Sequence, residues 1–271
     1  MDFFEKLYKK ICWIIFNTFK PKGFGFLRYE NFLNVFKFYE SNFPNCGIFE
    51  LKAIPYNKKR YELLAEQIGT APTEAFFIIK AIHESLSIEG VCCEFGVAQG
   101  QTSSLMANEL LNFSDKKLYL FDSFQGLPSP TEEDELIDDI FNLGEMKNYV
   151  GAMKSPKESV LNKLSDLNFS SDRFKIFSGF IDQNFSKIKN LPDKVSFAYI
   201  DFDFYEPIKI VLEFLIDKTD KGSFIIIDDY DFFSSGVKLA VDNFLKINQN
   251  LFNVYVAPKL IGNFIVLKRI K

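Results

Sequence analysis

The feature that most constrains this chain is a series of short apolar runs, at 90–95, 117–121, 174–177, 195–200 and 223–227. Each run is four to six residues long, which suits a buried strand, and most are separated by stretches with helical spacing such as 102–111, 156–164 and 207–216. Strands that alternate with helices predict an α/β fold: a doubly wound, mostly parallel sheet with helices on both faces. Two further runs, 253–257 and 263–268, flank Pro258 and Gly262 and predict an antiparallel C-terminal hairpin at one edge. Ahead of the first strand, Thr70-Ala71-Pro72 reads as a helix start with proline in the first turn, and 75–86 continues with helical spacing.

These elements define a main α/β domain over 66–271. Residues 1–65 lack strand alternation and are punctuated by Pro21, Gly23, Gly25, Pro44, Gly47 and Pro55, so a helical and irregular extension is expected there. Phe3, Phe4, Leu7, Tyr8, Ile11, Ile14 and Ile15 fall on one helical face, suited to packing on the domain or a second subunit, and otherwise to docking on a membrane surface. The apolar run 11–16 is far short of the ~20 residues a membrane span needs, and no small-residue cleavage site follows it, so neither a transmembrane segment nor a signal peptide is expected.

Charge excludes one class of partner. With 32 basic and 36 acidic residues the chain carries −4, leaving no broad positive field to hold nucleic acid by counterion release. Cys12, Cys46, Cys92 and Cys93 offer neither a metal-binding spacing nor a disulfide framework, which suits a reducing cytoplasm. Cys92 and Cys93 are expected to be inert core residues on opposite faces of a strand. Phenylalanine is abundant, 33 of 271 residues, and is read as core filling. His83, the one histidine, is read as structural, since no triad can be assembled around it. The acids at 132–135, 138 and 139 are read as a solvated loop face, with a substrate lid as the alternative.

Three constellations sit at predicted strand ends. Glu94-Phe95-Gly96-Val97-Ala98-Gln99-Gly100 follows the first strand with E-x-G-x-x-x-G spacing, which disfavours a dinucleotide fingerprint and lacks the lysine of a phosphate loop. Asp122-Ser123-Phe124-Gln125-Gly126-Leu127-Pro128 ends the second, where Asp122 can accept hydrogen bonds from ribose hydroxyls, or cap the turn that follows. Asp201-Phe202-Asp203-Phe204-Tyr205-Glu206 and Asp228-Asp229-Tyr230-Asp231 end two strongly apolar strands and gather carboxylates at one rim. Like charges so placed raise one another's pKa unless a cation neutralises them, and Mg²⁺ accepts a few carboxylates plus water and substrate oxygens. Asp201, Asp228 and Asp229 are the expected ligands. Asp203, Glu206 and Asp231 are read as exposed acids or caps.

Together with Gly69-Thr70-Ala71-Pro72 and Ala240-Val241-Asp242, these ordered motifs resemble the macrocin O-methyltransferase family from about residue 69 to the C-terminus. Gln99 and Gln101 depart from it, standing where a basic residue and a glycine are common. The resemblance implies a class I, Rossmann-like methyltransferase domain dependent on S-adenosylmethionine and Mg²⁺. It implies Asp201, Asp228 and Asp229 on the metal, and Thr70, Glu94, Gly96, Val97, Ala98, Gly100, Thr102, Ser103, Asp122, Ser123, Gly179 and Asp201 around the methyl donor. Asp201 is then the candidate general base. The implied acceptor is a sugar hydroxyl, taken here as that of a nucleotide-activated hexose or heptose destined for a bacterial surface polysaccharide or glycoside. A catechol-like phenol offers the same paired oxygens, and Asp201-Phe202-Asp203 also imitates the D-x-D motif of a metal-dependent glycosyltransferase. A homodimer is the expected assembly.

Overall fold

Alternation of strand and helix does build one sheet. The computed structural model describes residues 47–51, 53–259 and 261–271; the N-terminal amphipathic segment, Cys12 and Cys46 lie outside the described residues. The chain runs α1 (Lys58–Glu66), α2 (Pro72–Glu84), β1 (Val91–Phe95), α3 (Gln101–Leu110), β2 (Leu118–Asp122), α4 (Lys157–Asp166), β3 (Phe174–Ser178), β4 (Val195–Ile200), α5 (Tyr205–Ile216), β5 (Phe224–Ile227), α6 (Ser235–Asn248), β6 (Phe252–Val256) and β7 (Ile265–Arg269). The strand order is β3-β2-β1-β4-β5-β7-β6, with β1 to β5 parallel and β7 antiparallel to both its neighbours. The C-terminal hairpin therefore enters with its second strand innermost, and β6 forms the edge.

Period-two alternation divides the core into two layers. Cys92, Leu118, Leu120, Phe197 and Tyr199 face α2 and α3, while Cys93, Phe95, Phe121, Ala198 and Ile200 face α5 and α6. Adjacent Cys92 and Cys93 fall on opposite faces as expected, both buried, and burial pushes the Cys92 thiol up to about 12. Phe95, Phe121 and Phe177 stand opposite one another on three parallel strands, their rings stacked at 4.6 and 4.5 Å. No helix of the described residues is long and apolar enough to cross a membrane.

Two helices were not singled out from the sequence. α6 buries Val237, Ala240, Val241 and Phe244 at helical spacing and is started by Ser234, whose hydroxyl accepts from Gly236 N at 3.0 Å. α1 is tied to α3 by a buried ion pair in which Arg60 Nε lies 2.8 Å from Glu109 Oε1. His83 Nε2 reaches the same carboxylate at 2.7 Å, so this histidine is a structural cross-brace as expected.

The acidic loop after β2 needs one correction. Glu132 and Glu135 are exposed and Glu133, Asp138 and Asp139 partly so, but Asp134 is buried, accepting from Thr131 N at 2.9 Å, Tyr205 N at 2.8 Å and Ser234 Oγ at 2.9 Å. It pegs the loop to the starts of α5 and α6, so its carboxylate serves orphan donors at a helix N-terminus. Asp134→Ala should cost about 2 kcal/mol, because buried donors lose their acceptor. Urea unfolding measures that loss, and faster proteolytic cleavage within 128–153 is the expected companion.

Candidate active site

Chain connections leave β1 toward β2 on one side, while β4 flanks it on the other, so the crevice at the carboxyl ends of β1 and β4 is where an open α/β sheet binds ligands. A cleft lies there, bordered by Gly96, Asp122, Gly126, Met153, Phe180 and Asp201. Gly96 makes it possible: at φ +88° a Cβ would sit 1.8 Å from the Asp201 carbonyl oxygen, so only glycine lets the β1 loop lie against the β4 tip.

Asp122 holds that loop in place. Its Oδ2 accepts from Val97 N at 2.7 Å and Ala98 N at 2.9 Å, and its Oδ1 accepts from Phe124 N at 2.6 Å. The capping role anticipated for Asp122 is thus present, and it extends across to the glycine loop. A carboxylate has about four lone-pair sites, so three backbone donors leave room for an incoming hydroxyl.

Glu94 lies one layer deeper. It is 1% exposed, takes a hydrogen bond from the Ser103 hydroxyl, and burial pushes its carboxyl up to about 8. Ser103 is wholly buried, and Thr102 is bonded to Thr70 at 2.9 Å, a pair that joins α3 to the start of α2. Val97 packs into the core, and Gly100, at φ +81°, starts α3 against Val160. Of the residues expected around the methyl donor, Gly96, Ala98, Asp122, Ser123, Gly179 and Asp201 border the cleft. Thr70, Glu94, Val97, Gly100, Thr102 and Ser103 stand behind it as support.

The rim acids form the other pole. Burial and then the charges of Asp228 and Asp229 hold the Asp201 carboxyl well above its ordinary value. Burial and Asp228 do the same to Asp229, and burial raises Asp228 although Asp229 N and the Tyr199 hydroxyl donate to it at 2.7 and 3.1 Å. Asp203 departs from the expectation of an exposed acid: at φ +62° its side chain turns in, 7% exposed, toward Asp229. Glu206 and Asp231 are partly exposed and paired with lysines, Lys209 at 3.4 Å for one, Lys238 and Lys259 at 3.4 and 3.2 Å for the other.

Glu74 was not anticipated. It lies in the first turn of α2, 2% exposed, and it faces Asp228, Asp201 and Asp229. The available signal was an acid directly ahead of the apolar run Ala75 to Ile79, where core packing gives no reason for a charge. Met153 and Phe180, half-exposed at the cleft mouth, were missed for want of any local motif.

By residue type this donor set suits a hard divalent cation, since it consists of carboxylates that repel one another in a crowded pocket, but Glu74 and Asp228 already share a side-chain hydrogen bond with each other. As they stand the side chains do not converge on one point, since among the described residues no group of three histidine, cysteine or acid side chains could hold a metal ion. Binding one therefore requires the carboxylates to turn inward.

A family profile described as Macrocin-O-methyltransferase (TylF) matches residues 77–256. The 8-demethyl-8-(2,3-dimethoxy-alpha-L-rhamnosyl)-tetracenomycin-C 4'-O-methyltransferase of Streptomyces olivaceus is 26% identical over 146 residues, covering 53% of this chain and 54% of the relative. The chain thus spans about half the length of the curated relative it matches. Among solved structures the O-methyltransferase NovP superposes with a TM-score of 0.62 at 17% identity, covering 91% of this chain and 100% of that one. Apo CalS11, described as a TDP-rhamnose 3'-O-methyltransferase of calicheamicin biosynthesis, gives 0.51 at 18% identity, over 88% and 93%. These two share the fold. Because the family match runs from α2 to β6 and takes in the glycine loop, Asp122 and both acid clusters, the chain belongs to the macrocin-O-methyltransferase (TylF) family.

Proposed function

We propose that this protein transfers a methyl group from S-adenosylmethionine to a hydroxyl of a sugar, in a Mg²⁺-dependent reaction. The observation that carries the reading is the junction at the switch point: one cleft borders both the Asp122-pinned glycine loop and Asp201, the first of the rim acids. A nucleotide-activated hexose or heptose used for a surface polysaccharide or glycoside is the proposed acceptor. Support comes from the rhamnosyl substrate in the name of the Streptomyces relative and the nucleotide sugar in that of CalS11.

Asp122 would accept hydrogen bonds from the ribose hydroxyls of the donor, with Gly96 letting the ligand approach the backbone. Glu94, beneath the loop, would compensate the donor's cationic groups. Asp201, Asp228 and Asp229 would hold the cation, which when bound lowers the pKa of the sugar hydroxyl it touches. Asp201 would take the hydroxyl proton as the oxygen attacks the methyl carbon: the O–CH3 bond forms, the S–CH3 bond breaks, and S-adenosylhomocysteine leaves with the sulfonium charge cancelled.

Calorimetric titration with S-adenosylhomocysteine, and then with nucleotide sugars with and without Mg²⁺, tests this reading. The expected result is binding of S-adenosylhomocysteine that Asp122→Ala weakens by at least about ten-fold, and sugar binding that needs the metal. Metal-dependent binding of a nucleotide sugar by a protein that ignores S-adenosylhomocysteine would instead favour a glycosyltransferase built on Asp201-Phe202-Asp203. Turnover of a catechol and no sugar would move the acceptor to a phenol.

A further inference from the structure

Three buried hydroxyls, those of Thr102, Thr70 and Tyr199, connect the start of α3 with the acid rim. Thr102 stands in the first turn of α3, which Gly100 of the glycine loop starts, and its neighbour Ser103 donates to Glu94. The Thr102 and Thr70 hydroxyl oxygens lie 2.9 Å apart. Thr70, just ahead of α2, bonds in turn to the Tyr199 hydroxyl, which donates to Asp228 Oδ2 at 3.1 Å.

Each hydroxyl carries one proton, and that fixes the direction of the chain. Tyr199 gives its proton to a carboxylate, so it can only accept from Thr70. Thr70 then accepts from Thr102, which has no proton left for Gln67 Oε1, and that contact is the long one at 3.4 Å. A row of donors running Thr102, Thr70, Tyr199, Asp228 is polarised toward one negative charge, and its members strengthen one another. Packing alone does not call for it. Tyr199 lies in β4 beside Glu94 and Ile226 of the neighbouring strands, fully buried, where phenylalanine would fill the same space without a hydroxyl to satisfy.

We infer that Thr70 and Tyr199 are positioning residues that couple the donor end of the cleft to the orientation of Asp228. A methyl donor lying against the glycine loop steadies the first turn of α3, and the hydroxyl chain carries that order to the rim where the acceptor is to be held. The inference rests on the methyl-transfer reading proposed above and needs no bound cation.

Hydrogen–deuterium exchange at residue resolution, with S-adenosylhomocysteine as the probe, reads the coupling. The reporter is the Asp229 amide, which donates to Asp228 Oδ1 at 2.7 Å and exchanges when that carboxylate lets go. Neither Asp228 nor Asp229 borders the cleft, so the probe does not shield this amide directly. In wild type, saturating probe should slow the Asp229 amide by about five-fold or more, the lower end of ordinary coupling between two sites, together with the Val97 and Ala98 amides of the glycine loop. Tyr199→Phe and Thr70→Val should keep the loop effect and lose the Asp229 effect, and Thr70→Ser, which restores a hydroxyl, should regain it. Asp228 remains held by Glu74 and by Asp229 N in all three, so the variants loosen the rim without freeing it. An Asp229 effect that survives Tyr199→Phe or Thr70→Val, or that is absent from a wild type whose loop responds, would overturn the inference and leave the methyl-transfer reading standing. Loss of the loop effect from both variants would overturn it too, assigning the hydroxyls to general support. A wild type whose amides ignore S-adenosylhomocysteine throughout would remove the methyl-transfer reading itself, and this inference with it.

Discussion

Asp201→Asn is expected to cut turnover by about 10²- to 10⁴-fold, the usual worth of a positioned general base, and at the same time to raise the melting temperature. The two effects have opposite signs for one physical reason. Asp201 is held well above its ordinary pKa by burial and by Asp228 and Asp229, so its folding stability is fully present below the unfolded pKa and is lost as pH rises through the folded value. Asparagine has the same shape and no charge to bury, so the penalty disappears at neutral pH. In the proposed reaction, however, the amide neither accepts a proton nor neutralises a cation. Single-turnover kinetics with S-adenosylmethionine, beside a thermal melt of the metal-free protein, reads both. Full turnover in the variant would remove the base role from Asp201, and a lowered melting temperature would contradict the crowding of charge at the rim.

The parallel sheet was legible because β1, β2, β4 and β5 are buried on both faces and so read as continuous apolar runs, while the edge strand β3 is only half-buried; all five lie within a residue or two of 90–95, 117–121, 174–177, 195–200 and 223–227. What the runs do not encode is neighbour order. β7 pairs with β5 and leaves β6 at the edge, a choice set by packing across the sheet and by no local pattern. Acids at strand ends were legible for a similar reason, since Asp201 and Asp228 break apolar stretches where a charge has no packing role. Asp203 was misjudged because sequence cannot show a left-handed backbone at a non-glycine residue, and that turn is what carries its side chain inward. Glu74 was invisible as a site residue because its neighbours in space, Asp228 and Asp201, lie more than a hundred residues away in the chain. Asp134 shows the converse: one acid within an acidic loop is buried because two helix starts converge on it.

Glu94→Gln should flatten the pH dependence of stability. The Glu94 carboxyl is pushed from its ordinary 4.5 to about 8, chiefly by burial, with the Ser103 hydroxyl opposing and Asp122 adding to the rise. A raised folded pKa means that the folded protein holds the proton more tightly than the unfolded chain does. Stability from this group is therefore complete below about 4.5 and is lost progressively until the pH passes about 8. Between about pH 5.5 and about pH 8 the loss comes to about 3 kcal/mol by linkage, large against a total stability of 5–15 kcal/mol for an ordinary domain. Glutamine keeps the acceptor for Ser103 and carries no titratable proton. The gap in unfolding free energy between variant and wild type should thus widen by about 3 kcal/mol across that range, measured by urea unfolding of the ligand-free proteins at both ends. Parallel pH profiles would mean that Glu94 is ionised throughout, and a cationic partner for it would then have to be sought. Saturating S-adenosylhomocysteine should shrink the gap, because the proposed ligand brings an ammonium group that makes the charged form of Glu94 worth keeping.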